Sequence, residues 1–162
     1  MVDDLLALSQ QVGAALTAGG FSICAAESCT GGLVLSTLTD LAGSSAYVLG
    51  GFVTYSNAAK MRFLGVREAT LLEHGAVSES TAAQMARGAQ TIFASDFALS
   101  VTGIAGPGGA TADKPVGLTY IGLARQSGIV NVARHLWTGG RLENKQRSAA
   151  AALKLLLSGL PG

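Results

Sequence analysis

The chain has 162 residues and a net charge of +1, and its lysines and arginines are scattered rather than clustered. This length predicts a single domain over residues 1–162 with a full hydrophobic core, and the charge pattern excludes the basic surface typical of a nucleic-acid-binding protein. Glycines and polar residues interrupt every apolar run before it reaches the length of a membrane span, so we expect a soluble protein without a membrane partner.

Two further features predict the cytoplasm as the compartment. The segment Met1-Val2-Asp3-Asp4 is acidic where a secretory signal would be basic. The two cysteines, Cys24 and Cys29, fit neither a disulfide framework nor a zinc pattern, which indicates reduced thiols in a reducing compartment.

The spacing of apolar residues predicts helices that alternate with short strands. Asp3 or Asp4 caps the first helix, and Ser56 or Asn57 caps the helix that follows the second strand. The predicted elements in chain order are a helix that stops at 19–20, a strand at 21–26, a helix at 31–41, a strand at 47–55, a helix up to 64, a helical turn at 68–73, a helix from 78 to 94, a strand at 97–101, two strands at 116–125 and 129–137, and a helix at 142–157.

This order of elements predicts an α/β fold, a three-layer α/β/α sandwich whose mixed, mostly parallel sheet has about five strands, with 116–125 and 129–137 as one antiparallel pair. Sites in such sheets lie beyond the carboxyl ends of the parallel strands. Three strand ends carry reactive or glycine-rich sequence: Glu27-Ser28, Tyr55-Ser56-Asn57 and Thr102-Gly103. If their strands are parallel, these three loops meet at one edge of the sheet.

Ser28 lies where an apolar strand passes directly into a helix. The unpaired amides of a helix start stabilise an oxyanion or hold a phosphate while a neighbouring serine attacks, although an ordinary N-cap has the same sequence. Cys29 is the alternative nucleophile, because a thiol in a first helical turn can have a lowered pKa, but it points away from the direction of Ser28. Glu27 either accepts hydrogen bonds that fix the junction or lies as a charge at the rim of the sheet.

Lys60 falls in the first turn of a helix, where the macrodipole and burial both lower the pKa of an amine. A neutral amine there takes the proton of Ser28; the alternative is a solvated surface lysine. Tyr55 either relays this proton or orients the amine, or it is an ordinary half-buried strand aromatic. Neither His74 nor His135 is placed to serve the serine.

The glycine-rich segment after Thr102 lacks a Gly-Lys-Ser/Thr motif and has no helix directly after its glycines, so it predicts neither an ATP-binding nor an NAD-binding fold. It is either a backbone nest for a small polar or anionic ligand or a flexible surface loop. Arg141, at the start of the last helix, either binds a phosphate or lies on the surface.

Four groups of motifs stand in order along almost the whole chain. They are Glu27-Ser28-Cys29-Thr30-Gly31-Gly32; Gly51-Phe52-Val53-Thr54-Tyr55-Ser56-Asn57 with Lys60 and Leu64-Gly65-Val66; Gly75-Ala76-Val77-Ser78; and Thr102-Gly103-Ile104-Ala105-Gly106-Pro107-Gly108-Gly109 with Lys114-Pro115-Val116-Gly117. Together they closely resemble the CinA C-terminal domain family. That family includes nicotinamide-nucleotide amidases, which hydrolyse nicotinamide mononucleotide to the nicotinic acid form and ammonia.

The resemblance implies that Ser28 is the nucleophile, Lys60 its base and Tyr55 a supporting residue. The resemblance also implies that Thr102 and the glycines after it bind substrate and that Arg141 binds its phosphate. With the residues beside Ser28 and Tyr55, the expected substrate-binding residues are Glu27, Cys29, Thr30, Gly31, Asn57, Thr102, Gly103, Gly106 and Arg141. The chain has Gly139-Gly140-Arg141 where many relatives have Gly-Asp-Arg. We expect an acyl-enzyme mechanism in which amides near Cys29, Thr30 and Gly31 stabilise the oxyanion, with no metal and no organic cofactor.

Two other functions stay open on the sequence. One is a catalytically silent nucleotide-binding or assembly domain associated with competence or DNA damage, and the other is an amidase or esterase for another small substrate. An apolar chain with few charges also indicates a buried interface, and we expect a homo-oligomer, a dimer, whose small-molecule partner is the nucleotide substrate.

Overall fold

The computed structural model describes residues 3–162, so Met1 and Val2 of the acidic amino-terminal segment lie outside the described residues. Each element predicted from the sequence is present. The elements of the structure in chain order are α1 Leu5–Gly19, β1 Ile23–Glu27, α2 Leu33–Thr39, an additional 3₁₀ turn Ser44–Ala46, β2 Val48–Val53, α3 Asn57–Leu64, α4 Glu68–His74, α5 Glu79–Phe93, β3 Phe97–Gly103, β4 Leu118–Arg125, β5 Val130–Leu136 and α6 Arg141–Gly159.

Local chemistry explains where these helices begin. The side chains of Asp4, Ser56 and Ser78 accept hydrogen bonds from first-turn amides of α1, α3 and α5, which satisfies donors that a helix start leaves unpaired. The second helix begins two residues later than expected, because Gly31 and Gly32 have φ values of 62° and 103°, outside the right-handed helical region. No helix within residues 3–162 has the length and apolar composition needed to cross a bilayer.

The five strands form one mixed sheet in the order β2-β1-β3-β4-β5. β1 is parallel to both β2 and β3, whereas β4 is antiparallel to both β3 and β5. The expectation of one antiparallel pair was therefore incomplete: β4 forms the predicted hairpin with β5 and also pairs with β3. Glu27 aligns with Val53 and Val101, so the carboxyl ends of the three parallel strands lie at the same edge.

Helices cover both faces of the sheet, which confirms the three-layer sandwich. On one face α1, α2 and α6 enclose a core that includes Ala25, and on the other α3, α4 and α5 enclose a second core that includes Ala26. Successive residues of a strand point to opposite faces. The alternation continues past the end of β1, where Glu27 reaches the α2 side and Ser28 reaches Lys60 on the α3 side.

Candidate active site

Ser28 and Lys60 meet at the carboxyl edge of the parallel strands. The Ser28 amide donates to the carbonyl oxygen of Val101 at 3.0 Å, which holds the residue between β1 and β3. Lys60 extends from the first turn of α3, and its Nζ lies 3.0 Å from Ser28 Oγ and 2.8 Å from the carbonyl oxygen of Thr54. The two side chains are 32 positions apart in sequence, and the parallel arrangement of β1 and β2 brings them together.

The Lys60 amine is buried, with 1% of the residue exposed. Burial lowers the pKa of Lys60, because desolvation disfavours the ammonium form, and this confirms the direction that the sequence predicted. No carboxylate pairs with Lys60 among residues 3–162. Nζ donates to Thr54 O and to Ser28 Oγ, and the 3.0 Å separation from Oγ is short enough for a proton to pass directly between the two atoms.

Glu27 fixes the junction and does not line the cavity at Ser28. Its fully buried carboxylate accepts hydrogen bonds from the amides of Gly32, Val34 and Leu35 at 3.1, 3.1 and 2.9 Å. It therefore caps α2, whose N-cap residue Gly32 has no side chain to do so. The expectation that Glu27 touches substrate is not supported by this geometry, whereas the alternative of a structural acceptor is confirmed.

The amides available to an oxyanion are fewer than expected. Gly31 donates its N–H to the carbonyl oxygen of Ser28 at 3.0 Å. Beyond it, Leu33 donates to Thr30 O, and the amides of Gly32, Val34 and Leu35 donate to Glu27. Within the described part of the chain, the amides of Cys29 and Thr30 donate to no protein acceptor. The Gly31 amide is thus already bound to protein, so its expected oxyanion role stays a prediction, and Cys29 and Thr30 carry the two main-chain donors beside the serine that have no such partner.

The Cys29 thiol is not an activated nucleophile. Its side chain lies in the core on the α1–α2–α6 face, with 6% of the residue exposed. Burial raises the pKa of Cys29 to about 11, because desolvation disfavours the thiolate form. The expectation of a lowered thiol pKa is wrong, since the side chain points away from the exposed helix start into the core.

A cavity of about 240 Å³ opens above the Ser28–Lys60 pair. The expected site residues that line it are Ser28, Cys29, Tyr55, Lys60, Thr102, Gly103, Gly106 and Arg141. Four other expected residues, Glu27, Thr30, Gly31 and Asn57, lie outside the lining, and Asn57 is exposed at the start of α3. Ala76 and Val77 also line the cavity and had no assigned role, although they belong to the Gly75-Ala76-Val77-Ser78 motif.

Tyr55 lines the cavity without touching the Ser28–Lys60 pair. The residue is 61% exposed, and its phenol oxygen accepts a hydrogen bond from the Arg141 guanidinium at 3.0 Å. The Thr54 carbonyl, one residue earlier, is the group that orients the Lys60 amine. The sequence left this orientation open as one of the alternatives for Tyr55, and it does not mark Thr54, because a main-chain carbonyl has no signature in the sequence.

The glycine-rich loop after β3 is anchored on both sides. Thr102 Oγ1 donates to the carbonyl oxygen of Ala76 at 2.8 Å, so its proton is bound to protein. Arg141 donates to Gly106 O at 2.8 Å, and the buried Asn144 donates to Ala105 O at 3.0 Å. The sequence left open whether this loop is flexible. The hydrogen bonds from α6 hold it in place, so it forms a cavity wall of defined shape.

The fold and site define a three-layer α/β protein with a buried serine–lysine pair at the carboxyl edge of its parallel strands. The chain belongs to the CinA C-terminal domain family, whose model matches residues 5–160.

Three relatives illustrate the similarity. Nicotinamide-nucleotide amidohydrolase PncC from Escherichia coli (strain K12) is 47% identical over 153 residues, which cover 94% of this chain and 93% of that protein. A CinA-like protein from Chloroherpeton thalassium is 52% identical over 152 residues, but the chain spans only 36% of its length. The structure of competence/damage inducible protein CihA from Agrobacterium tumefaciens superposes with a TM-score of 0.94 and is 44% identical, over 96% of this chain and 95% of that one.

Proposed function

We propose that the chain is a nicotinamide-nucleotide amidase that hydrolyses nicotinamide mononucleotide to nicotinic acid mononucleotide and ammonia. The observation that carries the proposal is the 3.0 Å contact between the buried Lys60 amine and Ser28 Oγ at the floor of a cavity. The relatives named nicotinamide-nucleotide amidohydrolase suggest the substrate, because this chain aligns with nearly the whole length of those proteins.

The first half of the proposed reaction forms an acyl-enzyme. Neutral Lys60 takes the proton of Ser28 while Oγ attacks the carboxamide carbon, and the resulting oxyanion accepts hydrogen bonds from the amides of Cys29 and Thr30. The tetrahedral intermediate then collapses. The C–N bond breaks, and the Lys60 ammonium returns its proton to the leaving nitrogen, which departs as ammonia.

The second half regenerates the serine. Lys60, neutral again, takes a proton from a water molecule that attacks the acyl carbon, and the second tetrahedral intermediate expels Ser28 Oγ, which regains a proton from Lys60. The product is nicotinic acid mononucleotide. Burial is what suits this amine to both steps, because it lowers the pKa of Lys60 toward the range in which a base gains and loses protons readily.

Ammonia release from nicotinamide mononucleotide tests the proposal directly. We expect turnover by the wild-type chain and a loss of at least about two orders of magnitude in rate for Ser28→Ala, because the nucleophile is removed. No ammonia, together with thermal stabilisation by the nucleotide, would make the chain a silent nucleotide-binding domain. Ammonia only from other amides would assign a different substrate.

The proposal also includes the cytoplasm as compartment and a homodimer as the assembled form, with no nucleic-acid partner. Cys24 and Cys29 are both free and buried, as suits a reducing compartment. On the edge strand β2, Leu49 and Val53 are 47% and 51% exposed, which suits a subunit interface. Sedimentation velocity measures the assembled mass, and a monomer at working concentration would refute the dimer.

A further inference from the structure

A second cation lies over the loop that carries Ser28. Lys145 is one turn after Arg141 on α6, so the two side chains share a helix face. A Cβ built on Gly31 would lie 3.8 Å from Lys145 Nζ, which places the ammonium directly above the turn of residues 28–31. Because Gly31 has no side chain, only open space separates that ammonium from the backbone of the turn.

The Lys145 charge has no partner within residues 3–162, whereas each other cation of α6 has one. Arg141 donates to Gly106 O and Tyr55 Oη, Arg147 pairs with Glu143, and Lys154 pairs with Asp3 at 2.9 Å. None of the hydrogen bonds or ion pairs in this part of the chain involves Lys145 Nζ. The half-buried position of Lys145 also strengthens its attraction for an anion compared with a fully exposed lysine.

The carboxylates near Lys145 are occupied elsewhere. Glu27, on the far side of the turn, is fully buried and accepts hydrogen bonds from three amides at the start of α2, including that of its N-cap residue. Glu143 lies on the same helix and is held by Arg147. An anionic group that enters beside Gly31 therefore meets an unmatched positive charge without an acidic side chain competing for it.

We propose that Lys145 binds the phosphate of the nucleotide substrate and so makes the site select a nucleotide over the corresponding nucleoside. This inference rests on the proposed function. The carboxamide lies at Ser28 in the cavity, and the phosphate lies outside the cavity lining, between Gly31 and α6. Arg141, whose guanidinium already holds Gly106 and Tyr55, forms the cavity wall between the two ends.

A pair of substrates that differ only in the phosphate tests this role. We compare kcat/KM for nicotinamide mononucleotide and nicotinamide riboside in the wild type, Lys145→Gln, Lys145→Arg and the control Lys154→Gln, which removes the same charge from the same helix. Lys145→Gln should lower the preference for the nucleotide by about tenfold to a hundredfold, mainly through KM, as expected for a lost charge-assisted hydrogen bond. Lys145→Arg should retain most of the preference, and Lys154→Gln should leave it unchanged.

An unchanged preference in Lys145→Gln, or an equal loss on both substrates, would overturn the inference, because a structural role affects both alike. Calorimetric binding of nicotinamide mononucleotide to Ser28→Ala, with and without Lys145→Gln, separates this result from failure of the proposed reaction. A Kd raised by about tenfold to a hundredfold supports Lys145 even if the wild type releases no ammonia. An unchanged Kd, or no binding to Ser28→Ala, refutes it.

Discussion

Replacing Lys60 by Met tests whether the amine is neutral in the folded protein. Methionine is similar in length and uncharged, so it keeps the buried chain in place while removing the titrating group. It also leaves the Thr54 carbonyl without the hydrogen bond that it receives at 2.8 Å, at a cost of about 1–3 kcal/mol. This cost does not depend on pH, so the informative quantity is the pH dependence of the stability difference.

The sign follows from the direction of the pKa shift. Burial lowers the pKa of folded Lys60 below its ordinary value of 10.5, so between these two values the unfolded chain holds a proton that the folded chain lacks. In that window the free energy of unfolding of the wild type rises with pH, by at most about 1.4 kcal/mol per pH unit. Lys60→Met lacks this titration. Its stability relative to the wild type therefore falls as the pH is raised toward 10.5.

Urea denaturation of both proteins, from about pH 7 to about pH 10, measures this difference, since the other titrating groups cancel between them. The same shift predicts that wild-type kcat/KM rises with pH through the lowered pKa of Lys60, because the neutral amine is the base. Lys60→Met should lose at least about a hundredfold in rate. A stability difference that stays flat over the whole range would show that Lys60 titrates normally, and the reasoning would fail.

Three further predictions concern the surroundings of the pair. Cys29→Ala should retain most of the ammonia release, and iodoacetamide should leave the native enzyme active, because burial raises the pKa of this thiol to about 11; loss of activity in either assay would reinstate the thiol as nucleophile. Glu27→Gln should lower the free energy of unfolding by about 2 kcal/mol in urea denaturation, because at least one of the three amides that Glu27 accepts then faces an NH₂ group. A free energy of unfolding equal to that of the wild type would contradict this capping role. Asn144→Ala should raise KM more than it lowers kcat, because the Ala105 carbonyl loses its hydrogen bond to α6. Asn144→Asp is the control that keeps the acceptor for the Gly139 amide. Equal effects on KM and kcat would argue against a loop-positioning role.

The sequence determined the local features of this protein. Capping oxygens at Asp4, Ser56 and Ser78 and the periodicity of apolar residues place the helices and strands. These features act within a few residues of chain, so they can be recognised without knowing the fold. The alternation of strands and helices then predicts parallel neighbours whose carboxyl ends meet, which is enough to bring Ser28 and Lys60 to one edge of the sheet.

Only the tertiary structure decided which polar groups pair with which. Main-chain amides and carbonyls are alike at every residue, so nothing in the sequence marks Thr54 O as the acceptor for Lys60 or the Gly31 amide as already bound to Ser28. The same holds for side chains whose partners are distant in the chain. Burial turned Cys29 into the core, and the packing of α6 against the sheet left Lys145 unpaired above Gly31, because both outcomes depend on segments that meet only in the folded molecule.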